Sequence, residues 1–321
     1  MRDAASTLPA CLDSLRAQTF ADHEVIAVDD GSRDASAALL AQAAAGDPRL
    51  RVIAGGGGLV AALNAALRAA TGDLLARMDA DDVTQPERLA LQVAALDKAP
   101  ALDVLGCRVA VLDDGVLGNA GMRSYVEWSN TLLTHEAIAA DMLVESPLVH
   151  PSVMMRAGAL RALGGYRAFE GPEDYDLWLR ALRAGLRFGK LPDVLLHWRD
   201  APSRLSRTDA RYAPERFFDL KVEAFVRSAP SGDGVVLWGA GPTGKSWARG
   251  LAARGRAVRA FVEVDPRKIG QTVHGAPVVG VDAAGGYPGC VHVAAVGLPD
   301  ARRRIRAAAA ALGIERLVAV A

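Results

Sequence analysis

Three short apolar runs in the first eighty residues each end in a polar turn, with helical stretches between them. Residues 23–28 end at Asp29-Asp30-Gly31-Ser32, residues 50–53 at a glycine run over 55–58, and residues 74–78 at Asp79-Ala80-Asp81. An alanine-rich stretch through Ala45, which Ser32 or Asp34 can cap, and residues 59–70 read as helices. Strands alternating with helices over short connections predict a mostly parallel sheet covered by helices. Few other folds accommodate that order. In such sheets ligands sit at the carboxyl ends of the strands, where the three polar turns fall.

The rest of the chain extends the pattern. Residues 6–18 predict a helix capped by Ser6 or Thr7, with Leu8, Cys11, Leu12 and Leu15 on one face. Strand material is expected over 101–118, centred on 102–112, then a helix over 126–142. Residues 147–155 read as a loop into a strand, 173–184 as an amphipathic helix, 194–198 as a strand and 215–227 as a helix. The small-residue segment S-A-P-S-G-D-G (228–234) predicts a linker between a first domain (1–227) and a second (235–321). At 321 residues, 51% of them hydrophobic, the chain is long enough for two cores. Equal numbers of basic and acidic residues, 37 of each, speak against a nucleic-acid partner. No apolar run is long enough to span a bilayer and no signal-peptide pattern is present, although peripheral membrane association stays open. Cys11, Cys107 and Cys290 are too widely spaced for a zinc site or disulfide framework, which predicts a cytoplasmic setting.

Asp79 and Asp81, one residue apart at a strand end, suit a hard divalent cation such as Mg2+ or Mn2+ that keeps its remaining positions for water and phosphate. By itself D-x-D is also a common turn. The second domain opens with a strand and G-A-G-P-T-G-K-S (239–246). Gly239, Gly241 and Gly244 fit G-x-G-x-x-G, and Glu263, 19 residues past Gly244, fits the acidic ribose partner of a dinucleotide site. The same residues fit a P-loop, with Lys245 and Ser246 in the phosphate and magnesium roles. The Rossmann-like reading is preferred, because the only Walker-B-like candidate, Asp265, is followed at once by Pro266. That domain would bind a nucleotide or dinucleotide, or serve a structural role.

Four ordered segments carry a resemblance: V-I-A-V-D-D-G-S (25–32), A-R-M-D-A-D-D (76–82), V-H-P-S-V-M-M-R (149–156), and G-G-Y-R (164–167) leading to E-D-Y-D-L-W-L-R (173–180). Over nearly all of residues 1–210 they resemble glycosyltransferase family 2, inverting nucleotide-sugar transferases with a GT-A fold. The resemblance implies a Rossmann-like GT-A domain with helices on both sheet faces; the strands and glycine turn after residue 234 predict a small Rossmann-like α/β domain following it. It implies that Asp29, Asp30, Arg77 and Asp79 bind the donor nucleotide, that Asp79 and Asp81 hold the metal, and that Asp174 is the catalytic base. A helix dipole at the start of 173–184 is expected to keep Asp174 ionised.

His150, Glu173, Trp198 and Arg199 are placed at the donor or acceptor pocket. Arg204 and Arg207 either hold diphosphate or an anionic acceptor or form a solvated face. Ala201 stands where many relatives carry a histidine, which leaves a third metal ligand open, with His197 a candidate substitute. The implied partners are a nucleoside-diphosphate sugar and a glycan or lipid-linked acceptor in bacterial surface polysaccharide synthesis, at or near the inner face of the cytoplasmic membrane. Competing readings are a nucleotide-binding regulatory or NAD(P)-dependent protein acting through the second domain, or an inactive, truncated transferase. Relatives begin with an apolar strand ending near P-V-x-(N/D), whereas this chain opens M-R-D-A-A-S-T-L-P. The expectation is a misassigned start with about ten or more residues upstream, a typical strand and its lead-in.

Overall fold

β-Branched apolar runs become strands and the alanine-rich stretches between them become helices. The computed structural model describes residues 1–112, 120–202, 204–229 and 234–321. Residues 113–118 of the expected strand region and 230–233 of the expected linker lie outside the described residues. Two compact units divide the chain: Met1–Ala139 with Pro147–Tyr212, and Ala140–Ser146 with Ala213–Ala321.

In chain order the elements up to Tyr212 are α1 (Leu8–Arg16), β1 (Val25–Asp29), α2 (Ser36–Gly46), β2 (Leu50–Ala54), α3 (Leu59–Ala69), β3 (Leu74–Ala76), β4 (Val83–Thr84) and α4 (Arg88–Lys98). Then follow β5 (Val104–Leu112), α5 (Ala120–Thr131), α6 (His135–Asp141), β6 (Met154–Arg156), α7 (Ala157–Ala162), α8 (Glu173–Arg183), β7 (Phe188–Arg199) and α9 (Leu205–Thr208). The expected helix over 126–142 is two helices, because Thr134 starts a new one: its Oγ1 accepts the Ala137 N–H. Residues before α2 are held by Asp34, whose carboxylate accepts the N–H groups of Ser36 and Ala5.

In the first unit β1 and β2 pair in parallel, from Val25 opposite Leu50 to Asp29 opposite Ala54. A second sheet has the order β3-β6-β5-β7-β4. Its pairing is mixed where the sequence predicts mostly parallel. Only β5–β7 is parallel; β3–β6, β5–β6 and β4–β7 are antiparallel. β6 enters from the opposite end, out of the 3-10 turn His150–Ser152, and so runs against both neighbours. β3 and β4 lie at opposite edges, so residues 77–82 must cross from one edge to the other. On its other side β1 meets Met1, whose amino group donates to Val28 O at 2.7 Å and whose carbonyl accepts the Asp30 N–H.

β7 is longer than the sequence suggests. Leu191 pairs with Cys107 and Val194 with Arg108, so Pro192 and Asp193 bulge out of the ladder. A bulge tolerates a proline that a regular ladder would not. The first unit's core buries Cys107, Val109, Val126, Val149, Leu195 and Leu196 on one side, and Leu89, Leu96, Leu105 and Met154 on another.

The second unit contains α10 (Pro214–Ser228), β8 (Val235–Trp238), α11 (Pro242–Ala252), β9 (Val258–Val262), β10 (Thr272–Val273), β11 (Ala276–Val279), β12 (Val291–Ala294), α12 (Pro299–Ala311) and β13 (Leu317–Ala319). α10, expected with the first domain, packs here instead: Val222 and Phe225 are buried with Leu237, Trp247 and Phe261. The sheet order is β10-β11-β9-β8-β12-β13, parallel throughout except for the β10–β11 hairpin. That is the Rossmann-like unit the sequence predicts, with a hairpin added. Among the described residues no helix is long and apolar enough to cross a membrane.

Candidate active site

The crossing segment 77–82 carries the acidic residues. The Arg77 N–H donates to Val153 O at 2.9 Å, fastening the turn to the loop that precedes β6. Asp79, Asp81 and Asp82 each bring one carboxylate oxygen within 4.8 Å of the others. Asp79 carries its charge. Burial opposes ionisation, but Arg77, whose Nη2 lies 2.5 Å from Asp79 Oδ1, outweighs it and lowers the carboxyl below its usual range. Burial and the Asp79 charge raise Asp81. Asp82, 1% exposed, is pushed up to about 8 by burial and then by Asp79 and Asp81.

Asp82 was not among the residues expected at the metal. Its neighbours explain its place: Oδ1 accepts the Arg199 N–H at 2.8 Å, while Oδ2 is buried without a hydrogen-bond partner. Three mutually repelling carboxylates with one orphaned oxygen suit a hard divalent cation. His197, the candidate substitute ligand, does not belong to the cluster; its Nε2 lies 2.7 Å from Gln85 Nε2. Arg199 acts on the acidic turn itself, since its Nε–H donates to Asp81 O at 2.7 Å.

α8 brings the second acidic group. Pro172 precedes it in extended conformation, and Glu173, Asp174 and Asp176 occupy its first turn. Asp176 is paired with Arg180 at 2.6 Å. Glu173, 4% exposed, accepts the Tyr212 hydroxyl at 2.6 Å. Asp174 is pushed up to about 7, first by burial and then by Glu173. The expected effect of the helix dipole is therefore outweighed. A carboxyl titrating near neutrality is well matched to general-base work.

The two acidic groups share a neighbourhood. Arg77 acts on the charge of both Asp79 and Asp174. The Tyr166 hydroxyl is raised by burial and also feels Glu173, Asp174 and Asp79. Tyr166 is fixed by Asn64, which accepts its N–H and donates to its carbonyl. It also lies 2.8 Å from His150 Nε2. His150, buried against Tyr166 and Trp178, is driven well below its ordinary pKa by burial and by Arg77. His150 is thus a buried residue, held in its neutral form, within reach of the charges of Arg77 and Asp79.

At the end of β1, Asp29 Oδ1 accepts the Ser32 N–H and hydroxyl, at 3.1 and 2.5 Å, and Asp30 Oδ1 accepts the Gly58 N–H at 3.3 Å. Asp29 thus also organises its own turn, and Asp30 ties that turn to the glycine run after β2.

Residues 1–164 match the sequence pattern described as glycosyl transferase family 2. The chain belongs to that family. It is a glycosyltransferase with a GT-A fold. A similar curated relative is the "Putative glycosyltransferase EpsE" of Bacillus subtilis, 34% identical over 214 residues, which make up 64% of this chain and 73% of the relative. Another is the "Amylovoran biosynthesis glycosyltransferase AmsE" of Erwinia amylovora, 30% identical over 61% of this chain and 71% of that one. Among solved structures, TarS of S. aureus in complex with UDP-GlcNAc aligns with a TM-score of 0.55 at 20% identity, over 70% of this chain and 64% of that chain. The mannosyltransferase PcManGT of Pyrobaculum calidifontis, in complex with GDP-Man and Mn2+, aligns with a TM-score of 0.54 at 19% identity, over 79% of this chain and 73% of that chain.

Other residues expected in this family 2 site lie at the end of β7 and on the stretch after it. The Arg204 guanidinium sits 4.0 Å from the centre of the Trp198 ring; its charge adds to the lowering of Asp79 and works against the net rise of Asp81 and Asp82. Arg207 is paired with Asp200 at 2.5 Å. In the second unit, Gly239 has φ +110°, and a Cβ on Gly244 would lie 1.9 Å from Gly239 O, so α11 closes directly on the glycine turn. Gly241 has open space before it. The Glu263 carboxylate, expected free for a ribose, accepts the Ala240 N–H at 3.2 Å and the Lys268 ammonium at 3.0 Å.

Proposed function

We propose that this transferase moves a sugar, with inversion, from a nucleoside-diphosphate sugar to a hydroxyl of a glycan or lipid-linked acceptor in bacterial surface polysaccharide synthesis. The observation that carries the reading is the Asp79–Asp81–Asp82 cluster with its orphaned Asp82 oxygen. The Met1 amino group feels Asp79, Asp30 and Asp29 together, which supports one shared neighbourhood for them. A divalent cation, Mg2+ or Mn2+, would be held by these three carboxylates and would neutralise charge on the departing diphosphate. Asp29 and Asp30, acceptor-only when ionised, suit the N–H and O–H donors of a base and ribose. Arg204 supplies positive charge beside the cluster, where the diphosphate would lie.

Asp174 takes the proton of the acceptor hydroxyl. The oxygen attacks the anomeric carbon as the bond from that carbon to the diphosphate oxygen breaks on the opposite face. The nucleoside diphosphate leaves with that electron pair, and Asp174 releases its proton to water. Relatives named for amylovoran and O-antigen biosynthesis support the setting. A reading centred on the second unit has less support, because Glu263 is already engaged by Ala240 and Lys268.

The test is a panel of UDP-, GDP- and dTDP-sugars, with and without Mn2+. At least one donor should raise the melting temperature and be turned over only with the metal, and Asp81→Ala should lose that dependence. Failure of every donor to bind or react would overturn the proposal.

A further inference from the structure

We infer that Tyr212 is a positioning residue for the transfer reaction: its hydroxyl holds Glu173 so that Asp174, the next residue, is kept as the proton acceptor of the pair. This rests on the proposed role of Asp174 as base.

The first turn of α8 presents three carboxylates, and the structure treats each differently. Asp176 is answered by a cation, Arg180, which also donates to Leu163 O and Gly165 O. Glu173 is answered by the neutral Tyr212 hydroxyl. A neutral donor steadies a carboxylate without cancelling its charge, so Asp174 still feels the negative charge beside it. Asp174 itself accepts the Tyr175 N–H at 2.7 Å. The other groups facing the pair are Arg77 from the acidic turn, which opposes the rise of Asp174, and Tyr166 from the turn before α8. Arg211 acts on Tyr212 and feels Glu173.

Tyr212 is held in place from the other half of the site. Arg199 donates to Asp82 Oδ1 and Asp81 O, and the Arg204 Nη1–H donates to Arg199 O at 2.7 Å. Arg207 pairs with Asp200, and Arg211 with Asp209 at 2.6 Å. The Tyr212 N–H in turn donates to Asp209 O at 3.0 Å. Among the described residues, these contacts brace the stretch between the aspartate cluster and the Tyr212 that meets Glu173. A tyrosine that only filled space would need no hydroxyl at this point.

The test follows the side-chain carboxyl 13C resonances of Asp174 and Glu173 with pH in the full chain, each assigned by its loss in Asp174→Asn or Glu173→Gln. In the unmodified protein the step near neutrality should appear at Asp174 alone. In Tyr212→Phe, Glu173 loses its donor and competes for the same proton, so its resonance should join that step and the step should rise by about half to one pH unit. In Glu173→Gln the neighbouring charge is gone and the Asp174 midpoint should fall by about one unit. The inference is overturned if Tyr212→Phe leaves both resonances unchanged, or if Glu173→Gln leaves Asp174 where it was. Full transfer activity in Asp174→Asn would instead remove the base assignment, a separate failure.

Discussion

The backbone N–H of Arg199, the last residue of β7, donates to Asp82 Oδ1 at 2.8 Å, across 117 positions of sequence. One strand end thereby fixes a carboxylate on the acidic turn, and fixes it from behind. Asp82→Ala should leave that part-buried N–H without this acceptor and cost about 1–2 kcal/mol of stability. Asp82→Asn keeps the acceptor and matches the protonated side chain present near pH 7, so its stability should stay within about 1 kcal/mol of the original. Both should lose most of the Mn2+-induced rise in melting temperature. Denaturant melts with and without Mn2+ separate the two effects, and an undiminished Mn2+ response in Asp82→Asn would exclude Asp82 as a ligand.

Asp174 should impose a pH limit on the reaction. Its folded-state carboxyl titrates near 7, above its ordinary value of 3.8, so the base form dominates only above neutrality. The rate should fall about tenfold per pH unit below that point, and Asp174→Asn should cost about 100-fold or more. The sign for stability runs the other way. Because the folded state holds the proton more tightly than the unfolded one, stability is lost as pH rises from about 4 to about 7. Asp174→Asn should therefore be the more stable protein at pH 8, with the gap closing towards pH 4. Parallel pH series of rate and of thermal melting test both signs.

The glycine turn of the second unit offers a contrast between near neighbours. Gly244→Ala would place a methyl group 1.9 Å from Gly239 O, which the backbone cannot absorb without moving α11 off β8. A loss of about 1–3 kcal/mol or more is expected. Gly241→Ala meets nothing within 4 Å, at φ −82°, and should be close to neutral. Equal melting temperatures for the two variants would contradict the close packing.

The legible parts of the chain were those with a local cause. The run 25–28 ahead of Asp29-Asp30, and Leu74-Leu75-Ala76 ahead of the D-x-D, are strands in the structure because short apolar runs ahead of polar turns pair as strands. The acidic start of α8 was legible for the same reason. What stayed hidden was non-local. The strand expected over 194–198 starts after Pro192, and only the bulge opposite Cys107 and Arg108 shows how β7 also takes in residues before it. Asp82 looks like one more polar turn residue until Arg199 buries it. The partner of Glu173 lies 39 residues downstream in a stretch with no motif. The hairpin of β10 and β11 pairs only two residues on each side, too few to give a periodic signal.

The bulge in β7 divides that strand's labour. Before Pro192, Phe188–Lys190 are buried and fixed by the core; after it, Leu196–Arg199 carry the pairing that reaches the acidic turn. Residues 192–194 between them are exposed. A chain with this layout can lengthen or shorten at that point while the core half keeps its register and the site half keeps its hold on Asp82. The joint is thus a place where sequence drift, or an inserted affinity tag, should be tolerated inside a strand that otherwise permits little change.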